Sequence, residues 1–196
     1  MELYYEIEKN LISEGKIVAG IDEVGRGSLV GPVVACAFVL NSLNQKIKIN
    51  DSKLLSKNKR AHKFIELINC KPIFGLGFSN NHEIDELNIL NATKLAMRRA
   101  VENLKTTPDI LLIDGNQKIG TEYDELPIIK GDQQCKSIGA ASIIAKITRD
   151  FLLKKISEIF PFYNLKQNMG YGTKEHIRLI KRFGICPFHR KTFKIN

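Results

Sequence analysis

Three short apolar runs in the sequence each end at an acidic residue, and this pattern limits the fold more than any other feature. The run IVAGI is followed directly by Asp22 and Glu23, ILLI is followed by Asp114, and LPIIK is followed within two residues by Asp132. Runs of this length and composition are typical of buried strands. In open α/β sheets, ligands bind beyond the carboxyl ends of the strands, so we expect acids at neighbouring strand ends to converge. One such acid is commonly only a turn or cap residue, but three in one chain favour a shared site.

The order of strand and helix patterns predicts an α/β fold. Strands are predicted at 16–21, 33–40, 73–78, 109–113 and 126–129. Apolar residues at helical spacing predict helices over 83–104 and about 134–159, and Thr173 is the predicted N-cap of a last helix. These elements indicate a five-stranded mixed sheet flanked by helices. The length of 196 residues is typical of one domain, so 1–196 is predicted to be a single domain with a small helical C-terminal part from about residue 160.

Charge is distributed unevenly along the chain. The net charge is +9, and the segments 44–63 and 164–196 hold seven and eight basic residues against one acidic residue each. Nearly all of the acidic residues therefore lie outside these two basic segments. This pattern fits a carboxylate site within a phosphate-binding surface and favours nucleic acid as the partner. Two solvated faces are the alternative interpretation.

Several classes of protein do not fit the sequence. The longest mainly apolar stretch, 29–40, contains Gly31 and Pro32 and is shorter than the roughly 20 residues of a membrane span. The first residues, MELYYEIEKN, lack the apolar region of a secretory signal, so we expect a cytoplasmic protein. The four cysteines are scattered, without CxxC or Cys/His spacing, which argues against a zinc site or a disulfide framework.

Converging carboxylates indicate metal-assisted chemistry. Like charges in close contact raise each other's pKa, and a hard divalent cation relieves that repulsion. Because no cluster of His or Cys accompanies the acids, Mg²⁺ or Mn²⁺ is favoured over zinc. On a phosphodiester, two such ions about 4 Å apart orient a water and stabilise the leaving oxygen. The residue types alone therefore indicate phosphoryl chemistry on a basic surface.

Seven motifs in register carry a resemblance to a known family. They are DEVGRG (22–27), DSKLLS (51–56), IDG (113–115), KGD (130–132), AASIIAKITRD (140–150), GYGTKEH (170–176) and CPFHRKTF (186–193). Together they resemble ribonuclease HII over residues 16–193. The resemblance implies a ribonuclease H-like fold and an endoribonuclease that cleaves the RNA strand of RNA–DNA hybrids. It also implies cleavage on the 5′ side of ribonucleotides embedded in duplex DNA, which leaves a 3′-hydroxyl and a 5′-phosphate and serves ribonucleotide excision repair.

The resemblance implies a role for each acid. Asp22, Glu23, Asp114 and Asp132 match the family's four acidic positions, which are catalytic and bind two Mg²⁺ or Mn²⁺ ions. Asp150 lies 18 residues after Asp132, about 27 Å along a continuous helix. We therefore assign the site to Asp132 and expect Asp150 on the helix surface or in contact with groups around the site.

The resemblance also implies residues that read the ribose. Gly25, Arg26 and Gly27 match the family segment that recognises the 2′-hydroxyl, the group that distinguishes RNA from DNA. Tyr171 matches the tyrosine that stacks at the RNA–DNA junction. Without the resemblance, a Gly-x-Gly segment is an ordinary tight turn, and a tyrosine between glycines packs on a neighbour.

Two further residues are matched to the phosphate backbone. The resemblance implies that Lys53 lies near the scissile or a neighbouring phosphate and that Ser142 donates to a backbone phosphate. The alternatives are a solvated lysine in a basic loop and a small residue that allows close helix packing.

One geometric question and two other functions stay open. Neighbouring residues on a strand point to opposite faces. Asp22 and Glu23 therefore share a site only if the strand ends or bulges there, or if Glu23 contributes its backbone carbonyl. The alternative functions are a junction resolvase-like two-metal nuclease and a non-catalytic hybrid-binding protein. We expect a monomer whose partners are RNA–DNA hybrids and ribonucleotide-containing duplex DNA, with no membrane partner.

Overall fold

A mixed five-stranded sheet forms the centre of the fold. The computed structural model describes residues 2–41, 46–47, 49 and 56–195. Its strands are β1 (Val18–Val24), β2 (Val33–Val39), β3 (Ile73–Ser79), β4 (Ile110–Asp114) and β5 (Asp124–Ile128). Their order is β3-β2-β1-β4-β5, with β2 antiparallel to β1 and β3, and with β4 parallel to β1 and β5. The five predicted strands and the predicted mixed sheet are confirmed.

Helices pack on both faces of this sheet. The α-helices of the described residues are α1 (Glu2–Ser13), α2 (Lys57–Asn69), α3 (Asn81–Glu102), α4 (Lys136–Ile159), α5 (Leu165–Asn168) and α6 (Lys174–Phe183). The predicted N-cap Thr173 accepts the His176 backbone N–H at 3.2 Å. Helices α1 and α2 are absent from the sequence prediction. For α2 the apolar pattern is weak, because the helix is rich in basic residues and buries only Leu67. In the described part of the chain, no helix combines the length and the apolar composition that crossing a membrane requires.

The two faces of the central strands pack against different helices. Ala19 and Val33 belong to the core under α3, whereas Cys36 and Phe38 belong to the core under α4. Because both faces are covered, every residue of β2 is buried. This explains why β2 reads as a continuous apolar run without alternation.

Two glycines allow α3 to lie close to β3. A Cβ at Gly75 would lie 2.1 Å from the carbonyl oxygen of Ala100, and a Cβ at Gly77 would lie 1.9 Å from that of Ala96. A larger residue at either position would push the helix away from the sheet. The glycines that weaken the strand signal in the sequence are therefore required by the packing.

A carboxylate from α1 caps the N-terminus of α4. Glu8 is 2% exposed and accepts the backbone N–H groups of Lys136 at 2.8 Å and Ser137 at 3.0 Å, as well as the Ser137 hydroxyl. Cys135 precedes the helix, and a thiol is a weaker acceptor than a carboxylate. Burial raises the pKa of Glu8, and the hydrogen bonds from Ser137 oppose that shift. Glu8 thus fixes the start of the helix that runs along the sheet.

Replacing Glu8 by alanine is expected to lower the free energy of unfolding by about 2 kcal/mol, because donors at the start of α4 lose their acceptor. Urea denaturation measures the change. The control is Glu6→Ala, which removes an exposed carboxylate from the same helix and is expected to change stability by less than about 0.5 kcal/mol. Equal effects of the two substitutions would contradict the capping role.

A smaller core near the C-terminus contains two buried histidines. His176 and His189 are 0% and 1% exposed, and their ring centroids lie 5.5 Å apart. His189 Nδ1 accepts the Cys186 backbone N–H at 2.9 Å, which requires a neutral ring. Burial, with a contribution from His176, lowers the pKa of His189 to about 4. The ring is therefore a structural acceptor in this core.

Acidification is expected to destabilise the fold through His189. The unfolded ring has a pKa near 6.5, so the unfolded state binds a proton at pH values where the folded state does not. The stability that the neutral His189 ring contributes is thus present above pH 6.5 and is lost as the pH falls toward 4. The expected loss in the free energy of unfolding is about 2 kcal/mol between pH 7 and pH 5. Urea denaturation at both pH values measures this loss. His189→Asn keeps an acceptor that does not titrate, and an unchanged pH dependence in this variant would refute the assignment.

Candidate active site

Three carboxylates from two neighbouring strands lie together at one edge of the sheet. Asp22 and Glu23 lie near the end of β1, and Asp114 is the last residue of β4. One carboxylate oxygen from each residue lies within 4.8 Å of the others. Because β1 and β4 are parallel, their carboxyl ends meet at the same edge of the sheet. The structure brings these three predicted site residues together.

Asp22 and Glu23 share this edge although they are consecutive in a strand. β1 stays paired with β2 beyond Asp22, but its pairing with β4 ends at Ile21 opposite Ile113. One side of β1 is therefore open from Asp22 onward. There, Asp22 Oδ1 accepts the Glu23 backbone N–H at 2.7 Å, which turns the Asp22 carboxylate along the strand toward its neighbour. The strand itself runs on to Val24 in unbroken register with β2, so the two acids share this edge because the pairing with β4 stops at Ile21 and not because the strand ends or bulges at Asp22.

The three carboxylates repel one another in a buried setting. Burial, followed by repulsion from Glu23 and Asp114, raises the pKa of Asp22 well above its usual range, while a hydrogen bond from the Ser142 hydroxyl lowers it. Burial also raises the pKa of Glu23, and Arg26 opposes that shift. A set of oxygen ligands with mutual repulsion fits a hard divalent cation, which Asp22, Glu23 and Asp114 would hold.

Asp132 lies outside this group of three. It occupies the turn Gly131–Gln133, which follows β5, and β5 lies two strands from β1, where adjacent strands are about 4.8 Å apart. The Asp132 side chain is buried. The turn is tied to the site because the Gly131 N–H donates to Asp114 Oδ1 at 2.7 Å. The metal-binding and catalytic role of Asp132 stays a prediction.

A cleft beside the carboxylates is lined by cationic and hydroxyl side chains. The lining residues are Asp22, Glu23, Val24, Arg60, Ser142, Lys146 and Tyr171. Arg60 comes from α2, whereas Ser142 and Lys146 lie about one turn apart on α4. Lys146 Nζ lies 2.6 Å from Asp150 Oδ1. Asp150 therefore pairs with a cation of the cleft wall and does not belong to the carboxylate group.

Described residues from both basic segments of the sequence lie in one depression of the folded chain. A second depression is lined by Lys57, Lys154, Ser157, Glu158 and Lys166. Lys57 belongs to the segment 44–63 and Lys166 to the segment 164–196, and Lys154 of α4 lies between them. The fold thus brings one lysine of each segment into the same depression, where cationic side chains are suited to a phosphate backbone.

The Gly25-Arg26-Gly27 turn borders the carboxylates. Gly25 has φ +102°, and a Cβ there would lie 2.2 Å from Arg149 Nε, so the fold requires glycine at this position. Gly27 has no positive φ, and apart from its own atoms and those of its two chain neighbours, no atom of the described chain lies within 4 Å of where its Cβ would be. Arg26 Nη1 lies 3.5 Å from Glu23 Oε1. Backbone conformation and packing therefore explain why residue 25 is glycine, whereas they give no reason for glycine at position 27.

Tyr171 lines the cleft and remains accessible. It is 38% exposed, and its ring centroid lies 5.6 Å from the Arg149 guanidinium carbon. A β-bridge pairs Tyr171 with Ser28, so its loop is attached to the segment that follows the Gly25–Gly27 turn. Lys53, the predicted phosphate-binding lysine, lies outside the described residues.

Two buried arginines next to these elements are missing from the sequence prediction. Arg149 and Arg190 are 0% and 1% exposed. A signal for Arg149 exists, because helical spacing puts it four residues from Ala145 and from Leu153, both of which are buried. A charge on the apolar face of a helix indicates a buried partner. Arg190 follows no periodic pattern, so its position emerges only from the fold.

Comparisons with known proteins identify the family. The family model for ribonuclease HII matches residues 19–196. Ribonuclease HII of Macrococcus caseolyticus is 49% identical over 180 residues, which cover 92% of this chain and 67% of that protein. Ribonuclease HII of Caldicellulosiruptor saccharolyticus is 43% identical over 196 residues, which cover 100% of this chain and 96% of that protein.

A solved structure agrees with these relatives. The crystal structure of ribonuclease H2 from Pyrococcus horikoshii matches with a TM-score of 0.73 at 27% identity, over 91% of this chain and 94% of that chain. The ribonuclease H-like fold implied by the motifs is therefore confirmed. The oxygen-only ligand group fits the divalent metal on which this family depends. The chain belongs to the ribonuclease HII family of metal-dependent endoribonucleases, which act on RNA–DNA hybrids.

Proposed function

We propose that this chain cuts on the 5′ side of ribonucleotides embedded in duplex DNA, in addition to cleaving the RNA strand of hybrids, and leaves a 3′-hydroxyl and a 5′-phosphate. The observation that carries the proposal is the carboxylate group of Asp22, Glu23 and Asp114 beside the Gly25–Gly27 turn. Tyr171 lines the same cleft as two of these acids. The acids suit phosphodiester hydrolysis, and the turn and the tyrosine suit recognition of a ribose and its base.

Two Mg²⁺ or Mn²⁺ ions are the proposed cofactors. Asp22, Glu23 and Asp114 would hold them, and Asp132 is the proposed fourth ligand. Such ions lower the pKa of a bound water and stabilise the negative charge that develops at a phosphodiester. The Asp22 carboxylate is oriented by the Glu23 backbone N–H at 2.7 Å and by the Ser142 hydroxyl, so the chain fixes this ligand before a metal binds.

The cleft, the Gly25–Gly27 turn beside it and Lys53 supply the proposed substrate contacts. The open space at Gly27 allows backbone to approach the 2′-hydroxyl closely. The exposed ring of Tyr171 offers a stacking surface for a nucleobase. Arg26 and Ser142 are proposed to contact neighbouring groups of the ribonucleotide strand, and Lys53 is proposed to contact a phosphate.

We further propose that residues 1–196 form one domain that acts as a monomer in the cytoplasm, in the removal of ribonucleotides from DNA. Its four cysteines, Cys36, Cys70, Cys135 and Cys186, are free thiols. Free thiols are in keeping with a reducing compartment.

Cleavage of labelled duplexes in Mg²⁺ and in Mn²⁺ tests the proposed function. The substrates are an all-DNA duplex, the same duplex with one ribonucleotide, an RNA–DNA hybrid and a branched DNA junction. The proposal predicts cleavage on the 5′ side of the single ribonucleotide and within the hybrid, with both DNA-only substrates intact. Cleavage of the junction would instead favour a resolvase, and binding without cleavage would favour a hybrid-binding protein.

Asp22→Asn is expected to reduce cleavage by about a hundredfold or more, since the site loses a metal ligand. Duplex binding is expected to change by less than about threefold, because phosphate contacts are kept. The metal-free variant is expected to be about 1 kcal/mol more stable than the parent, because repulsion within the carboxylate group is relieved. Single-turnover cleavage, fluorescence anisotropy and urea denaturation measure these effects.

The control for Asp22→Asn is Asp124→Asn, which changes an exposed aspartate at the start of β5. It is expected to leave cleavage and stability unchanged. Retained cleavage in Asp22→Asn would rule out the metal-ligand role.

Substitutions of the two glycines are expected to separate fold from recognition. Gly27→Ala is expected to fold normally and to lower kcat/KM by about tenfold or more on a single-ribonucleotide duplex, since a Cβ displaces the ribose from the backbone. Gly25→Ala is expected to lower stability by about 2–4 kcal/mol, because it forces a positive φ on alanine and contacts Arg149. Thermal denaturation and steady-state kinetics distinguish the two. Full activity of Gly27→Ala would contradict close approach of the substrate at this turn.

A further inference from the structure

Two arginines are buried beneath the ribose-reading elements with carbonyl oxygens as their partners. Arg149 of α4 and Arg190, which follows α6, rank among the largest fully buried side chains of the described chain. Within the described residues, neither guanidinium forms an ion pair with a carboxylate. Burying a charge without a counter-ion is costly unless its hydrogen bonds are satisfied. The carbonyl groups that these two arginines bind therefore indicate which parts of the backbone they fix.

Arg190 holds the Gly25–Gly27 turn from below. Its Nη2 donates to the carbonyl oxygen of Gly25 at 2.7 Å, and its Nη1 donates to that of Arg26 at 2.8 Å. The other side of the same guanidinium binds Gly31, whose carbonyl oxygen lies 3.1 Å from Nε and 2.9 Å from Nη2. One side chain thus fixes both ends of the loop that begins at the turn.

This contact determines which groups the turn presents outward. In a trans peptide, the carbonyl and the following N–H point in opposite directions, and the described chain has no cis peptide. Because the carbonyls of Gly25 and Arg26 point toward Arg190, the N–H groups of Arg26 and Gly27 point away from it. Within the described residues, neither N–H donates to another group of the chain. Two adjacent outward N–H groups form a small site for an electronegative oxygen.

Arg149 joins the rest of this loop to the loop that carries Tyr171. It donates to the carbonyl oxygens of Val30, Pro32 and Met169, each at 3.1 Å. Its guanidinium carbon also lies 5.6 Å from the centroid of the Tyr171 ring. Arg149 therefore fixes the distance between the Gly25–Pro32 loop and the tyrosine loop.

We infer that Arg149 and Arg190 are positioning residues for ribonucleotide recognition: Arg190 orients the Arg26 and Gly27 N–H groups toward the substrate, and Arg149 holds Tyr171 in register with them. The inference rests on the proposed reading of the ribose by these elements. It assigns no contact between either arginine and the substrate. Their effect is on the fraction of molecules whose two loops are arranged for binding, and apparent affinity scales with that fraction.

The test is an affinity ratio, measured in EDTA so that no substrate is cleaved. The ratio is the Kd for an all-DNA duplex divided by the Kd for the same duplex with one ribonucleotide, determined by fluorescence anisotropy. Arg190→Lys and Arg149→Lys keep the charge but lose the planar set of donors. Each is expected to lower the ratio by about tenfold, toward one, and to leave the Kd for the all-DNA duplex within about twofold of the parent.

The control is Arg99→Lys, at an arginine that is more exposed and also forms an ion pair with Glu83 at 2.7 Å. Arg99 Nη1 also donates to a backbone carbonyl, that of Phe78 at 2.7 Å, but on α3 and outside the residues that line the cleft. It is expected to leave the ratio unchanged. Loss of folded protein raises both Kd values together and does not move the ratio, so a merely structural role is separated from positioning. If Arg190→Lys does not fold, the affinity ratio of Arg149→Lys still tests the positioning role.

The outcomes distinguish the inference from the proposed function. A parent ratio above one that is unchanged in both folded lysine variants overturns the positioning role and leaves the proposed function standing. A parent ratio of one contradicts reading of the ribose itself and overturns the inference with it. A ratio that falls in both arginine variants and is kept in Arg99→Lys supports the inference.

Discussion

The parallel pairing of β1 with β4 is the constraint on which the rest of the site depends. It brings Asp114 to the same sheet edge as Asp22 and Glu23, and it stops one residue before Asp22, which leaves that carboxylate room to turn toward its neighbour. The same arrangement concentrates negative charge in a buried position. Such a site is stable only with compensation from its surroundings. In this chain that compensation comes from a hydroxyl, from backbone N–H groups and from Arg26.

The helices position the walls of the cleft around this edge. α4 starts where Glu8 caps it and then carries Ser142 and Lys146 past the carboxylates. α2, which comes much earlier in the chain than α4, contributes Arg60 to the same cleft. Because α2 and α4 share one core with β2, packing fixes the positions of these side chains of the cleft wall. A phosphate backbone thus meets a preformed surface.

Local patterns predicted the elements well, because strand and helix periodicity depend on residues close in sequence. All five strands, α3, α4 and α6 follow from such patterns, as do the strand-end acids. The position of Asp132 outside the group of three does not follow, since it depends on how many strands separate β5 from β1. The two buried arginines are further examples. Arg149 carries a periodic signal, whereas the partners of Arg190 lie more than 150 residues away in the chain and only the tertiary fold joins them.

The β-bridges of this region have a consequence for folding during synthesis. Ser28 pairs with Tyr171, and Val30 pairs with His189, so the N-terminal loop is completed by residues near the other end of the chain. Contacts of such high sequence separation form late, because closing a long loop costs chain entropy. On the ribosome, β1 and β4 are available once residue 114 has emerged, but the loop after β1 lacks its partners until residues 171–190 follow. The carboxylate edge can thus assemble before the loop after β1 and the Tyr171 loop are joined to each other.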